Sequence, residues 1–266
     1  MECSCGCCSA FRPRYKRLVN NIYPASPAEG YDKSNLEKLT FYARAQSEKL
    51  DRSGNYLAQR IARDLSRHRL SYVAIGVEAM DRLLVSSNAQ SLNLFVESFL
   101  RVVQQLVESQ ELSMQLLGTH SFVQFANIKE DTPSYHRRYD FFVSKFASMA
   151  HNSDQNLDKR RQLRMAGLNG LQGVIRKTVS DDLQANIWDD THMEKIVPSL
   201  LYNMQSQDFN DIDKETLVGA TFAETPLMSP TFGDKSAPAM IAEDCLKELM
   251  RRATFGHIKS DRKSVV

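Results

Sequence analysis

A repeated spacing of small residues is the feature that most constrains the fold of this chain. Gly76, Gly118 and Gly167 each open the same pattern, with a second small residue three positions later and large apolar residues four and seven positions later. Positions with this spacing share one side of a helix, so each copy predicts a helix with a flat strip where a neighbouring helix packs closely. The copies are 42 and 49 residues apart, which is the size of an armadillo or HEAT unit built from one helix pair.

A fourth copy of the pattern begins at Ala242, and Cys245 occupies its second small position. It lies 75 residues after the third copy, so we expect one period plus an insertion. The segment 206–237 is rich in aspartate, glycine and proline, which predicts a flexible insertion between repeats. We expect Cys245 to fill a small buried slot of a repeat helix and to carry no chemistry.

Hydrophobic periodicity predicts helices through most of the remaining chain, and no convincing strand pattern appears. Ser34 and Glu37 match a capping box, which predicts the start of the first helix. The fold class is therefore predicted as all-α, an armadillo/HEAT-like α-solenoid of helix pairs. The predicted helices span 35–46, 50–68, 70–86, 90–109, 111–127, 136–152, 158–179, 192–205 and 239–255.

The first seventeen residues combine two membrane-anchoring signals. Four cysteines that can carry acyl chains are Cys3, Cys5, Cys7 and Cys8, and the cations that follow them are Arg12, Arg14, Lys16 and Arg17. One acyl chain gives only marginal binding, whereas acylation plus a basic patch gives stable anchoring. Each cation near an anionic leaflet adds about 1 kcal/mol. The pattern predicts S-acylation of the cysteines and contact of the cations with anionic lipid.

Three other interpretations of the cysteine cluster stay open. A disulfide framework needs an oxidising compartment, but the first thirty residues contain no apolar segment typical of a signal peptide. A zinc site normally uses two separated ligand pairs, whereas these sulfurs are crowded together. The thiols could also be incidental. N-myristoylation is excluded because residue 2 is Glu2.

Charge is concentrated next to the cysteines. The chain has a net charge of +2, and because the four cations of the basic segment contribute +4, all other residues together carry −2. A nucleic-acid-binding protein more often spreads basic residues through its fold and has a pI above the 8.2 of this chain. No apolar run reaches the roughly 18 residues that a membrane-spanning helix needs, so membrane contact must come from the surface or from a lipid.

Catalytic motifs are absent from the sequence. There is no nucleophile elbow, phosphate-binding loop or zinc-protease pair. His120 and Ser121 are adjacent on a predicted helix and therefore point in different directions. The histidines show no metal-ligand spacing and are expected at surface or capping positions; they are His68, His120, His136, His151, His192 and His257.

A second basic feature lies on the helix predicted at 50–68. Arg60, Arg63 and Arg67 follow helical spacing and form a basic stripe. The stripe could extend a membrane-facing patch, but an ordinary solvated face is the favoured interpretation.

Several longer stretches resemble the rolling-blackout (EFR-three homolog) family. The likeness covers nearly the whole chain up to about residue 258 and is carried by residues 13–19, 37–43, 48–52, 93–100, 125–136, 164–168 and 183–188. The resemblance implies a palmitoylated peripheral protein on the cytoplasmic side of the plasma membrane, with a cytosolic pool possible. It implies that the chain recruits the type III alpha phosphatidylinositol 4-kinase, with a tetratricopeptide-repeat adaptor and a hyccin-type subunit.

The resemblance and the residue patterns together predict the organisation of the chain. We expect a lipidated and basic anchor at 1–18, a linker at 19–34, repeats at 35–205, the insertion at 206–237, a further repeat at 238–258 and a divergent tail at 259–266. The likeness stops after about residue 260, so we expect a fragment or truncated isoform that lacks the adaptor-binding region. No enzyme activity and no cofactor are predicted. The alternatives are a membrane-associated serine lipase and a cytosolic repeat scaffold.

Overall fold

The computed structural model describes residues 12–46, 48–86, 89–128, 138–177, 187–205 and 238–252. Within these ranges every element is helical. In chain order the α-helices are α1 (Arg14–Asn21), α2 (Lys33–Ala45), α3 (Glu48–Ser66), α4 (Leu70–Ser86), α5 (Ala89–Glu108), α6 (Leu112–Ala126), α7 (Tyr139–Ala150), α8 (Leu157–Lys177), α9 (Asp190–Gln205) and α10 (Pro238–Arg252). A single turn of 3-10 helix, Pro27–Glu29, separates α1 from α2. The all-α prediction is confirmed.

Nine of the ten helices match predicted ones, with ends that differ by about three residues or fewer. The exception is α1, which spans the predicted boundary at residue 18 between the anchor and the linker. The predicted insertion at 206–237 and the tail at 259–266 lie outside the described residues.

The chain divides into two compact units. The first contains α1 to α4 and nearly all of α5, and the second contains α6 to α10. In the second unit α8 packs on α6, α7 and α10, while α9 packs on α7 and α10. Within this unit α6, α8 and α10 therefore form one layer and α7 with α9 the other, as expected for helix pairs stacked into a solenoid.

The small residues of the repeat are where helices approach one another most closely. Gly167 of α8 lies against the backbone of α7, where a Cβ atom would meet the Ala150 nitrogen and would lie 2.7 Å from the Phe146 carbonyl oxygen. Gly170, one turn further along, faces the ring of Phe146. The prediction of a flat packing strip is therefore confirmed on α8.

The fourth copy of the pattern also lies in the core, on α10. Ala242, Cys245 and Leu249 are buried there, and the Cys245 thiol lies 3.5 Å from the carbonyl oxygen of Leu168 on α8. Burial, together with the negative charge of nearby Glu248, raises the pKa of the Cys245 thiol to about 12. The burial of Cys245 against α8 confirms its predicted packing role.

The start of α2 differs from the prediction. The N-cap is Asp32, whose carboxylate accepts a hydrogen bond from the backbone N–H of Asn35 at 3.0 Å. Ser34 lies inside the first turn, so the predicted capping box is wrong by two residues. Aspartate and serine are nearly equivalent as caps, and only the geometry of the chain leading into the helix selects between them.

None of the described helices combines the length and the apolar character required to cross a bilayer.

The close approach at Gly167 gives a stability prediction. We expect Gly167→Ala to lower the free energy of unfolding by about 2 kcal/mol, because the new methyl group meets backbone atoms that cannot rotate away. Gly173→Ala on the same helix is the matched control, since its nearest neighbours are side-chain carbons of Ala126 and Phe122 at 3.2 Å. Urea unfolding followed by circular dichroism measures both variants, and equal effects would contradict the backbone-contact explanation.

Candidate membrane-anchoring site

Only part of the predicted anchor, residues 1–18, lies among the residues that the structure describes. The predicted acylation sites Cys3, Cys5, Cys7 and Cys8 lie outside the described residues, and the structure begins at Arg12. Arg12 lies four positions after Cys8, and a fully extended chain of four steps spans at most about 14 Å. An acyl chain on Cys8 would therefore keep Arg12 within about 14 Å of the bilayer.

The predicted lipid-binding cations lie on or beside helix α1. Arg14, Lys16 and Arg17 belong to its first turn, and Arg12 precedes it by two residues. The side chains of Arg12, Arg14 and Arg17 are exposed, whereas Lys16 is half-buried. The partial positive charge of a helix amino end adds to that of the side chains, so this end of α1 has a strongly positive potential.

Helix α1 has little intrinsic stability. It is only eight residues long, its N-cap Pro13 provides no side-chain hydrogen bond, and its first turn contains no acidic residue. Short helices are marginal in water, and cations at an amino end oppose the helix dipole. The helix must therefore be held by tertiary contacts, beginning with Val19 and the following Ile22, which are both fully buried.

One set of contacts holds α1 against α2. The guanidinium of Arg14 lies 5.3 Å from the centre of the Tyr42 ring, close to the end of α2. At the opposite end of α1, the Asn35 side chain donates a 3.0 Å hydrogen bond to the carbonyl oxygen of Asn21. These two contacts show that α1 and α2 run antiparallel, with the amino end of α1 beside the carboxyl end of α2.

A second set of contacts holds α1 against α3. The Lys16 ammonium lies 5.4 Å from the centre of the Tyr56 ring, a cation–π distance. Asn20 exchanges hydrogen bonds with the Tyr56 hydroxyl and accepts a 2.6 Å bond from the guanidinium of Arg60. Helix α1 therefore lies across two neighbours, with Arg14 directed toward α2 and Lys16 toward α3.

Arg60 connects α1 to the core of the first unit. Its guanidinium stacks 3.5 Å from the ring centre of Tyr23 and lies 3.8 Å from the carboxylate of Asp64. Burial raises the pKa of Tyr23 above its ordinary value, although the nearby Arg60 opposes the shift, so the ring stays neutral. Arg63 and Arg67 are exposed. The predicted solvated stripe therefore holds for these two arginines but not for Arg60, whose docking role the sequence did not reveal.

The structure contains a serine–histidine contact that the sequence did not predict. The Ser199 hydroxyl of α9 lies 3.2 Å from Nδ1 of His151, which follows α7. The hydroxyl donates to the Lys195 carbonyl oxygen at 2.6 Å, and Nδ1 lies 3.0 Å from the Ala147 carbonyl oxygen. Because a carbonyl oxygen only accepts, the tautomer that satisfies these contacts has its proton on Nδ1, and in that tautomer Nδ1 cannot take a proton from Ser199.

Two further observations bear on a hydrolase site. Ser199 is fully buried, so a substrate has no access to its hydroxyl. His192 is also buried and pairs with Asp140 at 2.6 Å, which corrects the expectation that the histidines lie at surface or capping positions. His136 and His257 lie outside the described residues. The Ser199–His151 contact is a packing arrangement and not a nucleophile with its base.

The contacts of Arg60 give a prediction for the docking of α1. Arg60→Met keeps an unbranched apolar stem but removes the hydrogen bond to Asn20 and the cation over Tyr23, so we expect a loss of about 2 kcal/mol in unfolding free energy. Hydrogen exchange should report faster exchange in the amides of 14–21. The exposed Arg63→Met on the same helix is the control, and similar exchange in both variants would contradict the docking role.

Comparisons with known proteins agree with the fold described above. Human "Protein EFR3 homolog B" is 55% identical over 262 residues, and Drosophila melanogaster "Protein EFR3 homolog cmp44E" is 54% identical over 267 residues. The alignments cover 98% and 100% of this chain but 31% of each relative, so the chain spans about a third of their length.

Among solved structures, a crystal structure of Efr3 matches with a TM-score of 0.58 over 94% of this chain and 48% of that one. At 17% sequence identity this likeness concerns the fold alone. A family model described as the EFR3 armadillo repeat matches residues 36–265. The chain therefore belongs to the EFR3 armadillo-repeat family.

Proposed function

We propose that this chain is a palmitoylated peripheral scaffold on the cytoplasmic side of the plasma membrane. In this proposal acyl chains on Cys3, Cys5, Cys7 and Cys8 hold it on the bilayer, and the basic face of α1 contacts anionic lipids of the inner leaflet. The anchored repeats localise the type III alpha phosphatidylinositol 4-kinase complex and so support phosphatidylinositol 4-phosphate synthesis. The protein acts without catalysis, and a cytosolic pool consists of chains that lack acyl groups.

The observation that carries the proposal is the placement of the cations. Arg14, Lys16 and Arg17 lie on α1, which is fixed to α2 and α3 and begins six residues after Cys8, and Arg12 lies two residues before this helix. Charge attraction to an anionic surface falls off within a Debye length of about 8 Å at physiological salt, so cations act only where the chain is held close. Acyl chains on the cysteines would limit Arg12 to about 14 Å from the bilayer, and the exposed side chains of Arg12 and Arg17 can reach the surface from there.

The partners follow from the resemblance to the family. The kinase and the hyccin-type subunit would bind the repeats, which offer long helical surfaces. Binding on a membrane raises the local concentration of a partner without any new contact. Co-precipitation of these subunits with the chain tests this part of the proposal independently of the anchor.

A serine lipase has no support in the described residues. The serine–histidine contact at Ser199 is buried and has its protons directed to backbone carbonyls. A serine-directed activity probe and a lipid hydrolysis assay test the alternative, and labelling or turnover by the purified chain would revive it.

The anchor proposal predicts the behaviour of a variant in which all four N-terminal cysteines are replaced by serine. We expect this variant to lose its acyl signal and to move from the membrane fraction to the cytosol, because surface charge alone gives weak, reversible binding. Acyl exchange combined with cell fractionation measures both properties. Cys245→Ser is the matched control and should leave both unchanged, since its thiol is buried.

Persistence of the four-cysteine variant on membranes would contradict acylation as the anchor. If the wild-type chain were itself cytosolic and free of acyl groups, a cytosolic repeat scaffold would replace the proposal.

The charge contribution predicts a second result. Replacing both Arg12 and Arg17 by glutamine should weaken binding to phosphatidylserine vesicles roughly 30-fold at low salt, since each cation contributes about 1 kcal/mol. Both side chains are exposed, so we expect the unfolding free energy to stay within about 0.5 kcal/mol of wild type. Vesicle flotation at several salt concentrations measures the binding.

The control variant replaces Arg63 and Arg67, which are exposed on α3, by glutamine. We expect it to weaken binding much less. An equal loss in both double variants would show that the attraction comes from overall charge and is not located at α1.

A further inference from the structure

We propose that Phe41 of α2 inserts into the boundary between headgroups and acyl chains of an anionic bilayer, beside the basic end of α1. This inference rests on the proposed function and adds an apolar contact to the acyl chains and the cations. Phe41 is 74% exposed, the largest exposed fraction among the large apolar side chains of the described residues. No neighbour in its own unit covers the ring, so transfer of its apolar surface out of water would be favourable.

Phe41 points directly away from the core of its unit. The buried residues of α2 include Leu36, Leu39 and Ala43, and helical spacing places Phe41 opposite to them. The side chain is therefore not part of the packing that holds α2 in place. Its replacement should leave the fold intact, which separates a binding effect from a folding effect.

The position of Phe41 along α2 brings it close to the predicted anchor. Arg14, at the amino end of α1, lies over the ring of Tyr42, the residue next to Phe41. Arg14 lies six positions after Cys8, and six fully extended steps of the chain span at most about 22 Å. An acylated N-terminus would therefore hold the carboxyl end of α2 near the bilayer surface.

The charges around Phe41 also favour an anionic lipid surface. Lys38 and Arg44 lie three residues before and after it, on the same exposed side of α2. Glu37 is also exposed on this side, so α2 contributes a net charge of about +1 around the ring. The exposed Arg12 and Arg14 extend the positive region, and an apolar ring surrounded by cations is typical of interfacial membrane binding.

The insertion can be measured with a single tryptophan. Trp188 is the only tryptophan of the chain, so Trp188→Phe provides a background in which Phe41→Trp reports on one position. The full chain is coupled through its N-terminal thiols to a maleimide lipid in phosphatidylserine vesicles. This lipid takes the place of the acyl chains. Buried Cys245, whose pKa is raised to about 12, should not react. We expect acyl-chain-brominated lipids to quench the emission of the Phe41→Trp variant.

Ser66→Trp in the same background is the matched control. Ser66 is exposed at the end of α3, beyond the contacts that Arg60 makes with the far end of α1, so we expect no quenching there. Emission from the Phe41→Trp variant that is no more quenched than the control would overturn the insertion. Because the tether is chemical, this result does not depend on whether cells acylate the chain, and it leaves the proposed function to its own tests.

Binding of the untethered chain gives a second readout. We expect Phe41→Ser to weaken association with phosphatidylserine vesicles about tenfold and Phe41→Leu to retain most of it, since leucine keeps the apolar area. An unchanged affinity for Phe41→Ser would overturn the proposal. So would sedimentation data in which Phe41→Ser converts a dimer into a monomer, because a second copy of the chain would then cover the ring.

Discussion

Close contact between helix backbones is the constraint on which the repeat body depends. At Gly167 the α8 backbone lies against the last turn of α7, so close that a single methyl group would meet main-chain atoms. The large side chains that flank this approach include Phe146 and Leu171, and both are completely buried. Dispersion and apolar burial are strongest where no gap remains between surfaces. The small residues thus stabilise the packing because they lack bulky side chains, and they determine the distance between neighbouring helices.

Helix α1 is attached by a different kind of interaction. It contributes few large apolar residues, and its amino end is electrostatically unfavourable to a helix. Aromatic rings of α2 and α3 compensate by offering π faces to its cations, at 5.3 Å for Arg14 and 5.4 Å for Lys16. The same cations therefore serve two purposes. They fix the helix through their ring contacts, and they keep a positive potential on its outer end.

The sequence predicted the repeat body well because its signal is periodic and redundant. Gly76, Gly167 and Ala242 stand at equivalent helical positions, and each of them is buried. Helix α1 was missed because its eight residues are too few to establish a period and its cations resemble a disordered basic segment. The Asp32 cap was missed because two acceptable caps stand two residues apart.

The docking role of Arg60 could not have been predicted from the sequence either. Its partners Asn20 and Tyr23 are 40 and 37 positions away in the sequence, and no local sequence pattern predicts such a contact. The contact between Ser199 and His151 is hidden for the same reason, and its proton arrangement is decided by two backbone carbonyls. For both sites the residue types were visible, whereas the geometry that decides their chemistry was not.

Attachment of α1 to the body also determines how an anchored chain would lie on a membrane. A long flexible tether would let the body turn freely, with all of its faces visiting the surface. Here only three residues separate Cys8 from Arg12, and α1 is fixed to α2 and α3. The residues outside the basic segment carry a net charge of −2, so an anionic bilayer repels them while it attracts the amino end of α1. Attraction at one end and repulsion elsewhere give the bound chain a preferred orientation without any specific recognition of a lipid.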